Sequence, residues 1–428
     1  AQAAHDMGVT LVSSPWSPPA EMKSNGSTVG GELEEAYYED FAAHLDSFAT
    51  YMDENDAPIY ALSVQNEPDV SVSYESCDYD AAQLLKFVKE NAQSIGTRVM
   101  APESFHFDKS LSDPLLQDPV ALANMDIVCG HIYGGGLASY PLAEEKGKEV
   151  WMTEHLTESQ HSANIWSYAL DVAAEIQQVM QANMSAYIWW YIIRYYGPIG
   201  DGEVSASFPD ENFSAKGEVT KKGYVMSQFA RFIRPEYWRV ECTTNPQSGV
   251  SVTAFKDNLS SKLVIVAINS SSSVREQTFS VQNVSFEKFT PYVTSATKDC
   301  HLEDDIMVSG TSFTASLDVS SITTFVSGSE ASAVKNDFGT VRSFKLAQNY
   351  PNPFNPSTRI DFEIPEKSFV SLKIYNVLGQ EIAELAGKEI TSGTHSVTFD
   401  GSLLANGVYV YTLQAGKYRD SRKMVIMK

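Results

Sequence analysis

Positive charge is scarce in this 428-residue sequence: 31 Lys and Arg stand against 54 Asp and Glu, a net charge of −23. A chain so acidic lacks the basic face that a nucleic-acid partner requires. Long apolar runs are also lacking. The richest, Ala186 to Ile193, falls far short of the ~18 residues that would span a bilayer. Cysteine is limited to Cys77, Cys129, Cys242 and Cys300, with no CxxC pair, which excludes zinc-ribbon and redox-motif readings. Cys242 and Cys300 share a β-patterned region where a bridge is one option, and buried free thiols are the preferred one. No secretory leader opens the chain, and its first residue is Ala1, so the expectation is a processed or missing N-terminus. What is present is core material: 43% of the residues are hydrophobic and 20% charged, in a length that suits two or three domains.

Up to about residue 235, short apolar runs alternate with helical patterns. The runs are Val9 to Ser14, Ile59 to Gln65, Arg98 to Ala101, Ile127 to Tyr133, Val150 to Thr153 and Ala186 to Ile192. Helical patterns between them include Tyr38 to Asn55, Ala81 to Gly96 and Ser162 to Met184. Apolar strands alternating with helices predict a parallel β/α architecture buried on both faces. Residues 236–327 change to short strands rich in Val, Thr and Ser, as in an antiparallel sandwich. Residues 328–343 are small and polar and read as a linker. Residues 344–428 carry closely spaced prolines and predict a third, small β-sandwich, with Asn406-Gly407 as a hairpin signal.

Two acids mark the chemistry. Glu67, in Ser63-Val-Gln-Asn-Glu-Pro-Asp69, directly follows an apolar strand, and Glu154, in Trp151-Met-Thr-Glu-His155, closes another. Active sites of β/α barrels sit at such strand ends. Either acid alone reads equally well as a solvated loop residue. Paired on one face, they are what glycoside hydrolysis needs, a protonated acid for the leaving oxygen and an ionised carboxylate for the anomeric carbon. His131 and His155 flank these positions without a carboxylate or Cys cluster at metal-ligand spacing. They read as hydrogen-bonding residues, and no metal or organic cofactor is implied.

With these residues in view, the sequence resembles glycoside hydrolase family 30, and within it the bacterial glucuronoxylan endoxylanases. The resemblance rests on Val12-Ser-Ser-Pro-Trp-Ser-Pro-Pro19, Val64-Gln-Asn-Glu-Pro-Asp69, Ala101-Pro-Glu-Ser104, Leu122-Ala-Asn-Met-Asp126, Gly130-His-Ile-Tyr133, Trp151-Met-Thr-Glu154 and Tyr187-Ile-Trp-Trp-Tyr191. It continues through Lys222-Gly-Tyr224 and Phe232-Ile-Arg-Pro235. It implies a (β/α)8 barrel (TIM barrel) over residues 1–235, a β-sandwich side domain over 236–327, and a retaining mechanism. By motif, Glu67 would be the acid/base and Glu154 the nucleophile, with Asn66 on the sugar 2-hydroxyl. Trp16, Tyr133 and Trp190 would line the sugar site.

Members specific for glucuronoxylan carry two adjacent arginines after strand 8, and the second, with a tyrosine two places on, holds the uronic acid branch. Here Ile193 replaces the first, while Arg194 and Tyr196 occupy the binding positions, and Ser162 matches a further carboxylate contact. The implied substrate is plant cell-wall glucuronoxylan, cut by a monomer. A branch-indifferent xylanase, a β-1,6-glucanase and a non-catalytic cell-surface polysaccharide-binding protein remain the alternatives. Only one strand precedes Glu67 where the family has three, so barrel strands 1 and 2 are expected to be absent from this chain.

The C-terminal unit resembles a type 9 secretion system sorting domain. Its signature stretches are Leu346-Ala-Gln-Asn-Tyr-Pro-Asn-Pro-Phe-Asn-Pro-Ser-Thr358, Ile374-Tyr-Asn-Val-Leu-Gly379, Leu404-Ala-Asn-Gly-Val-Tyr409 and Lys423-Met-Val-Ile-Met427. The type 9 secretion machinery is therefore the expected partner, with export by way of the periplasm to the surface or beyond.

Overall fold

Six apolar runs form one parallel sheet in the computed structural model: β1 (Leu11–Ser13), β2 (Ile59–Ser63), β3 (Arg98–Ser104), β4 (Ile127–His131), β5 (Glu149–His155) and β6 (Ala186–Trp189). The structure describes residues 1–428 apart from 210, 259, 261, 329–343, 350, 351, 353, 355, 365–367, 377, 378, 391, 392, 403, 417, 427 and 428. Most of the expected linker thus lies outside the described residues. The chain divides into two compact units, Ala1–Asp257 with Lys262–Ala331, and Asn258–Ser261 with Ser332–Lys428.

In the first unit the strands lie in sequence order, β1 to β6, all parallel. The sheet is the six-stranded, open part of a (β/α)8 barrel, with β1 and β6 at its edges, as the strand count in the sequence indicates. Helices Tyr38–Glu54, Ala81–Glu90, Lys109–Gln117 and Trp166–Gln181 return the chain between strands. Every position of β4 is buried, which explains its unbroken apolar reading. Helix Tyr38–Glu54 buries Tyr38, Phe41, Ala42, Leu45 and Ala49, the spacing of one helical face. Helix Ala81–Glu90 starts at a capping box in which Asp80 accepts from the Gln83 amide. Because all crossovers return the chain the same way, all six strands end on one side.

The antiparallel part of this unit has two layers. The main sheet contains Tyr237–Val240, Val250–Asp257, Leu263–Asn269, Ser321–Ser327 and Lys288–Thr294 in that order. The second pairs Arg275–Ser280 with Ser312–Leu317. Phe279, Phe289, Phe313 and Phe325 fill the space between them. The outer face of Leu263–Asn269 is covered as well: Val264, Val266 and Ile268 meet Ala169, Val172 and Ile176 of one barrel helix and Val225 and Phe229 of helix Lys221–Ala230. That strand is therefore buried at all its positions, and its sequence is apolar without alternation. All four cysteines are free thiols.

The second unit is a small sandwich. One sheet orders Lys345–Leu346, Ser357–Ile364 and Gly393–Asp400; the other orders Glu381–Ile390, Ser368–Asn376, Gly407–Ala415 and Tyr418–Ile426. Ile360, Phe362, Leu372, Ile374, Tyr411, Leu413 and Met424 form its core. The expected hairpin at Asn406-Gly407 is not formed. Gly393–Asp400 pairs with Ser357–Ile364, whereas Gly407–Ala415 pairs with Ser368–Asn376 and Tyr418–Ile426, so Asn406-Gly407 ends a crossing between sheets. The tight turn lies instead at Gly416, where φ is 54°. Among the described residues, no helix is long and apolar enough to cross a membrane.

Candidate active site

The chain leaving β2 is pinned from both sides. The Asn66 amide donates to the Pro15 carbonyl at 2.9 Å, after β1, and the Glu67 amide donates to the Glu103 carbonyl at 3.0 Å, on β3. Glu67 adopts φ 47° and Glu103 φ 55°. A left-handed conformation costs an L-residue about 1–2 kcal/mol, which these hydrogen bonds offset. Gln65 is buried and its Nε2 donates to the carbonyls of Trp16 and Asn66, both at 2.8 Å. Glu154 sits one residue before the end of β5, and the sheet register sets it beside His131, the last residue of β4.

The strand ends bring Glu67, His131 and Glu154 together. His131 is fully buried; its Nδ1 lies 2.9 Å from Glu67 Oε1 and 3.9 Å from Glu154 Oε1. Its Nε2 lies 3.6 Å from Glu103 Oε1, beyond hydrogen-bond range but well within reach of charge. Tyr74 donates to Glu67 Oε2 at 3.1 Å, and Tyr133 donates to Glu154 Oε1 at 3.1 Å. Burial alone would depress the His131 imidazole, but the neighbouring Glu103 carboxylate, the hydrogen bond to Glu67 and the Glu154 charge outweigh it and push it up to about 10. The ring is a cation at neutral pH. Burial, reinforced by the Glu67 charge and opposed by His131, pushes the Glu154 carboxyl up to about 7. Burial and the Glu67 charge push the Tyr74 phenol up to about 12.

Glu67, His131 and Glu154 each present an atom within 4.8 Å of the others, a closeness that their spacing in the sequence does not reveal. His131 Nδ1 is the shared centre of the three and faces both carboxylates. Asp69, His106 and Asp108 are similarly close, yet one oxygen of each aspartate already accepts a backbone amide, from Phe105 and Ser110 respectively.

Aromatic rings lie around the two acids. The Trp16 ring centroid lies 5.3 Å from that of Tyr74 and 5.7 Å from that of Trp190. Tyr133 stacks on Phe105 at 5.1 Å. Beyond β6, Arg194 is half-exposed and its Nη2 donates to the Tyr191 hydroxyl at 3.2 Å, with the guanidinium 5.1 Å above that ring. Asp201 Oδ2 lies 3.9 Å from Arg194 Nη1. Tyr196 is buried beside Tyr191, and burial together with that neighbour pushes its phenol up to about 12. The Ala163 amide donates to the Tyr195 carbonyl at 2.8 Å, which sets the preceding Ser162 beside this group. The Ser162 amide donates to Glu211 Oε2 at 2.6 Å and its hydroxyl to the Asn212 carbonyl, so both are engaged by a neighbouring loop.

Tyr74, Glu103 and Tyr191 are functional candidates that sequence reasoning misses. For Glu103 the signal is present, since it is an acid at a strand end like Glu67 and Glu154. Tyr74 lies in a loop without periodicity, and Tyr191 is one of several aromatics in a row.

Paired carboxyls at the strand ends of a β/α unit, among aromatic rings, define a glycosidase-like site. Glucuronoxylanase XynC of Bacillus subtilis (strain 168) is 40% identical over 337 residues, which cover 76% of each chain. Two solved structures are similar. The family 30 subfamily 8 xylanase Xyn30A from Clostridium acetobutylicum has a TM-score of 0.68 at 37% identity, over 76% of this chain and 81% of its own. A family 30 endoxylanase from Clostridium papyrosolvens C71 has a TM-score of 0.66 at 38% identity, with the same coverage. The chain belongs to glycoside hydrolase family 30 and is a glycoside hydrolase. Residues 348–427 match the secretion system C-terminal sorting domain. The protein is thus sorted through the type 9 system to the cell surface or outside.

Proposed function

We propose that the protein is a retaining endo-β-1,4-xylanase that cuts glucuronoxylan at positions set by its methylglucuronic acid branches. The observation that carries this reading is the approach of Glu67 and Glu154, whose nearest carboxylate oxygens lie within 4.8 Å. Retaining pairs stand about 5–5.5 Å apart, whereas inverting pairs need about 6.5–9.5 Å to admit a water.

Glu67 protonates the leaving oxygen as Glu154 attacks the anomeric carbon, so one C–O bond breaks while another forms. A water then attacks the glycosyl-enzyme, and Glu67 takes its proton as the Glu154 bond breaks. Burial raises the Glu154 carboxyl of the free protein, which keeps a proton at the site. A bound sugar draws the proton to Glu67, because the leaving oxygen accepts from it while charge developing at the anomeric carbon favours ionised Glu154. Asn66, buried beside Glu67, binds the 2-hydroxyl, and Trp16, Tyr133 and Trp190 contact the sugar faces.

Arg194, backed by Tyr191 and Tyr196, takes the branch carboxylate, as its planar guanidinium suits. Ser162 adds a further contact to the branch carboxylate. Asp201 favours a second reading: were it the lasting partner of Arg194, cleavage would ignore the branches. Mass spectrometry of products from glucuronoxylan tests the choice. One branch at a fixed distance from each new reducing end supports the proposal, and branch-independent product sizes contradict it.

A further inference from the structure

Glu103 has no assigned part in the chemistry, yet it is among the most deeply buried charged groups of the protein, 2% exposed. We propose that Glu103 is a positioning residue that clamps His131 as an imidazolium between itself and the carboxylates of Glu67 and Glu154. The inference deepens the proposed glycosidase mechanism and rests on it. Its geometry is specific. The Glu103 carbonyl receives the Glu67 amide, so the backbone of one acid fixes that of the other. Its Oε1 accepts from the Ser14 hydroxyl at 2.9 Å and faces His131 Nε2, while Oε2 is buried without a hydrogen-bond partner. A carboxylate left so short of donors is costly unless a cation lies beside it, and His131 is that cation.

Four strands face this cluster. Glu67 follows β2, Glu103 is on β3, His131 and Cys129 are on β4, and Glu154 is on β5. The thiol of Cys129 is held well above its ordinary value, by burial first and by the charge of Glu103 second, so it stays neutral. The phenols of Tyr74 and Tyr133 are also raised by burial and carboxylate charge and stay neutral. One imidazolium therefore serves three carboxyls. The Nδ1 hydrogen bond to Glu67 Oε1 and the Glu103 charge 3.6 Å from Nε2 favour one ring orientation, with the Nδ1 proton aimed at Glu67 Oε1.

Glu103→Gln keeps the shape and removes one negative charge. Loss of an anion lowers the pKa of every remaining member of the cluster. Both limbs of the kcat/KM profile on xylan should move to lower pH, by about 1 unit or more. Limbs that stay in place while kcat falls would make Glu103 merely structural and overturn the proposal. The wild-type protein supplies a test that needs no variant to fold. In a 15N-detected histidine titration, both ring nitrogens of His131 should remain protonated at about pH 8, above the ordinary histidine range. A neutral ring there overturns the clamp. This readout is independent of turnover, so a wild-type protein inactive on xylan would strike the proposed function and leave the clamp to be judged by His131 alone.

Discussion

His131 and Glu154 are neighbours in sheet register, the last residue of β4 beside the penultimate residue of β5, and an imidazole nitrogen lies 3.9 Å from a carboxylate oxygen. This pairing places the imidazole beside the proposed nucleophile. Burial resists ionisation of Glu154, and His131 restores it. The balance between the two decides the pH at which the proposed nucleophile is ready.

Burial pushes the Glu154 carboxyl up to about 7, so lowering the pH through that value should protonate it and silence the proposed nucleophile. The acid limb of kcat/KM should reflect this group. His131→Gln removes the cation that holds Glu154 down, and the limb should move up by about 1 pH unit or more. An unmoved limb would mean that His131 does not tune the pair. The direction is opposite to that expected for Glu103→Gln.

Substitution of the carboxyls should separate their roles. Glu154→Ala should abolish turnover on every substrate. Glu67→Ala should retain glycosylation of aryl xylosides with good leaving groups, which need little protonation, while losing about 10²–10⁴-fold on xylan. Equal loss on both substrates would remove Glu67 from the acid role.

Arg194→Ala should lose a charge-assisted contact of about 1.5–3 kcal/mol on branched substrate, roughly 10- to 150-fold in kcat/KM. Linear xylo-oligosaccharides should be cut almost as before. Carboxyl-reduced glucuronoxylan should make the wild type resemble the variant. Parallel loss on both substrates in the reducing-sugar assay would make Arg194 structural.

Much of the first unit is legible in the sequence because its inner strands β3, β4 and β5 are buried at nearly every position and read as apolar runs. Glu67 and Glu154 are legible because each closes such a run. The role of His131 is not, since its partner Glu67 lies 64 positions away and only the order and register of the strands bring the two together. Arg194 and Tyr196 are two places apart in sequence and stay close in space, but Tyr191, which carries the guanidinium, needed the loop after β6 to be seen. Asn406-Gly407 misleads for the converse reason. Its backbone preference suits a hairpin and a crossing equally, and the choice is made by which sheet buries Val370, Leu372 and Ile374.

The sorting unit should be dispensable for chemistry, because every candidate site residue precedes residue 200. Deletion of residues 344–428 should leave kcat within about twofold, as expected of independent sites. It should also block export in a host that carries the matching machinery. Unimpaired export would contradict the sorting role.

The most direct test of the central claim is the anomeric configuration of the first product, followed by proton NMR as glucuronoxylan is added to the enzyme. Two displacements at the same carbon restore its configuration, so β-anomer reducing-end signals should appear first and the α-anomer only later, by mutarotation. An α-anomer that appears first would mean a single displacement by water and would contradict the covalent role of Glu154.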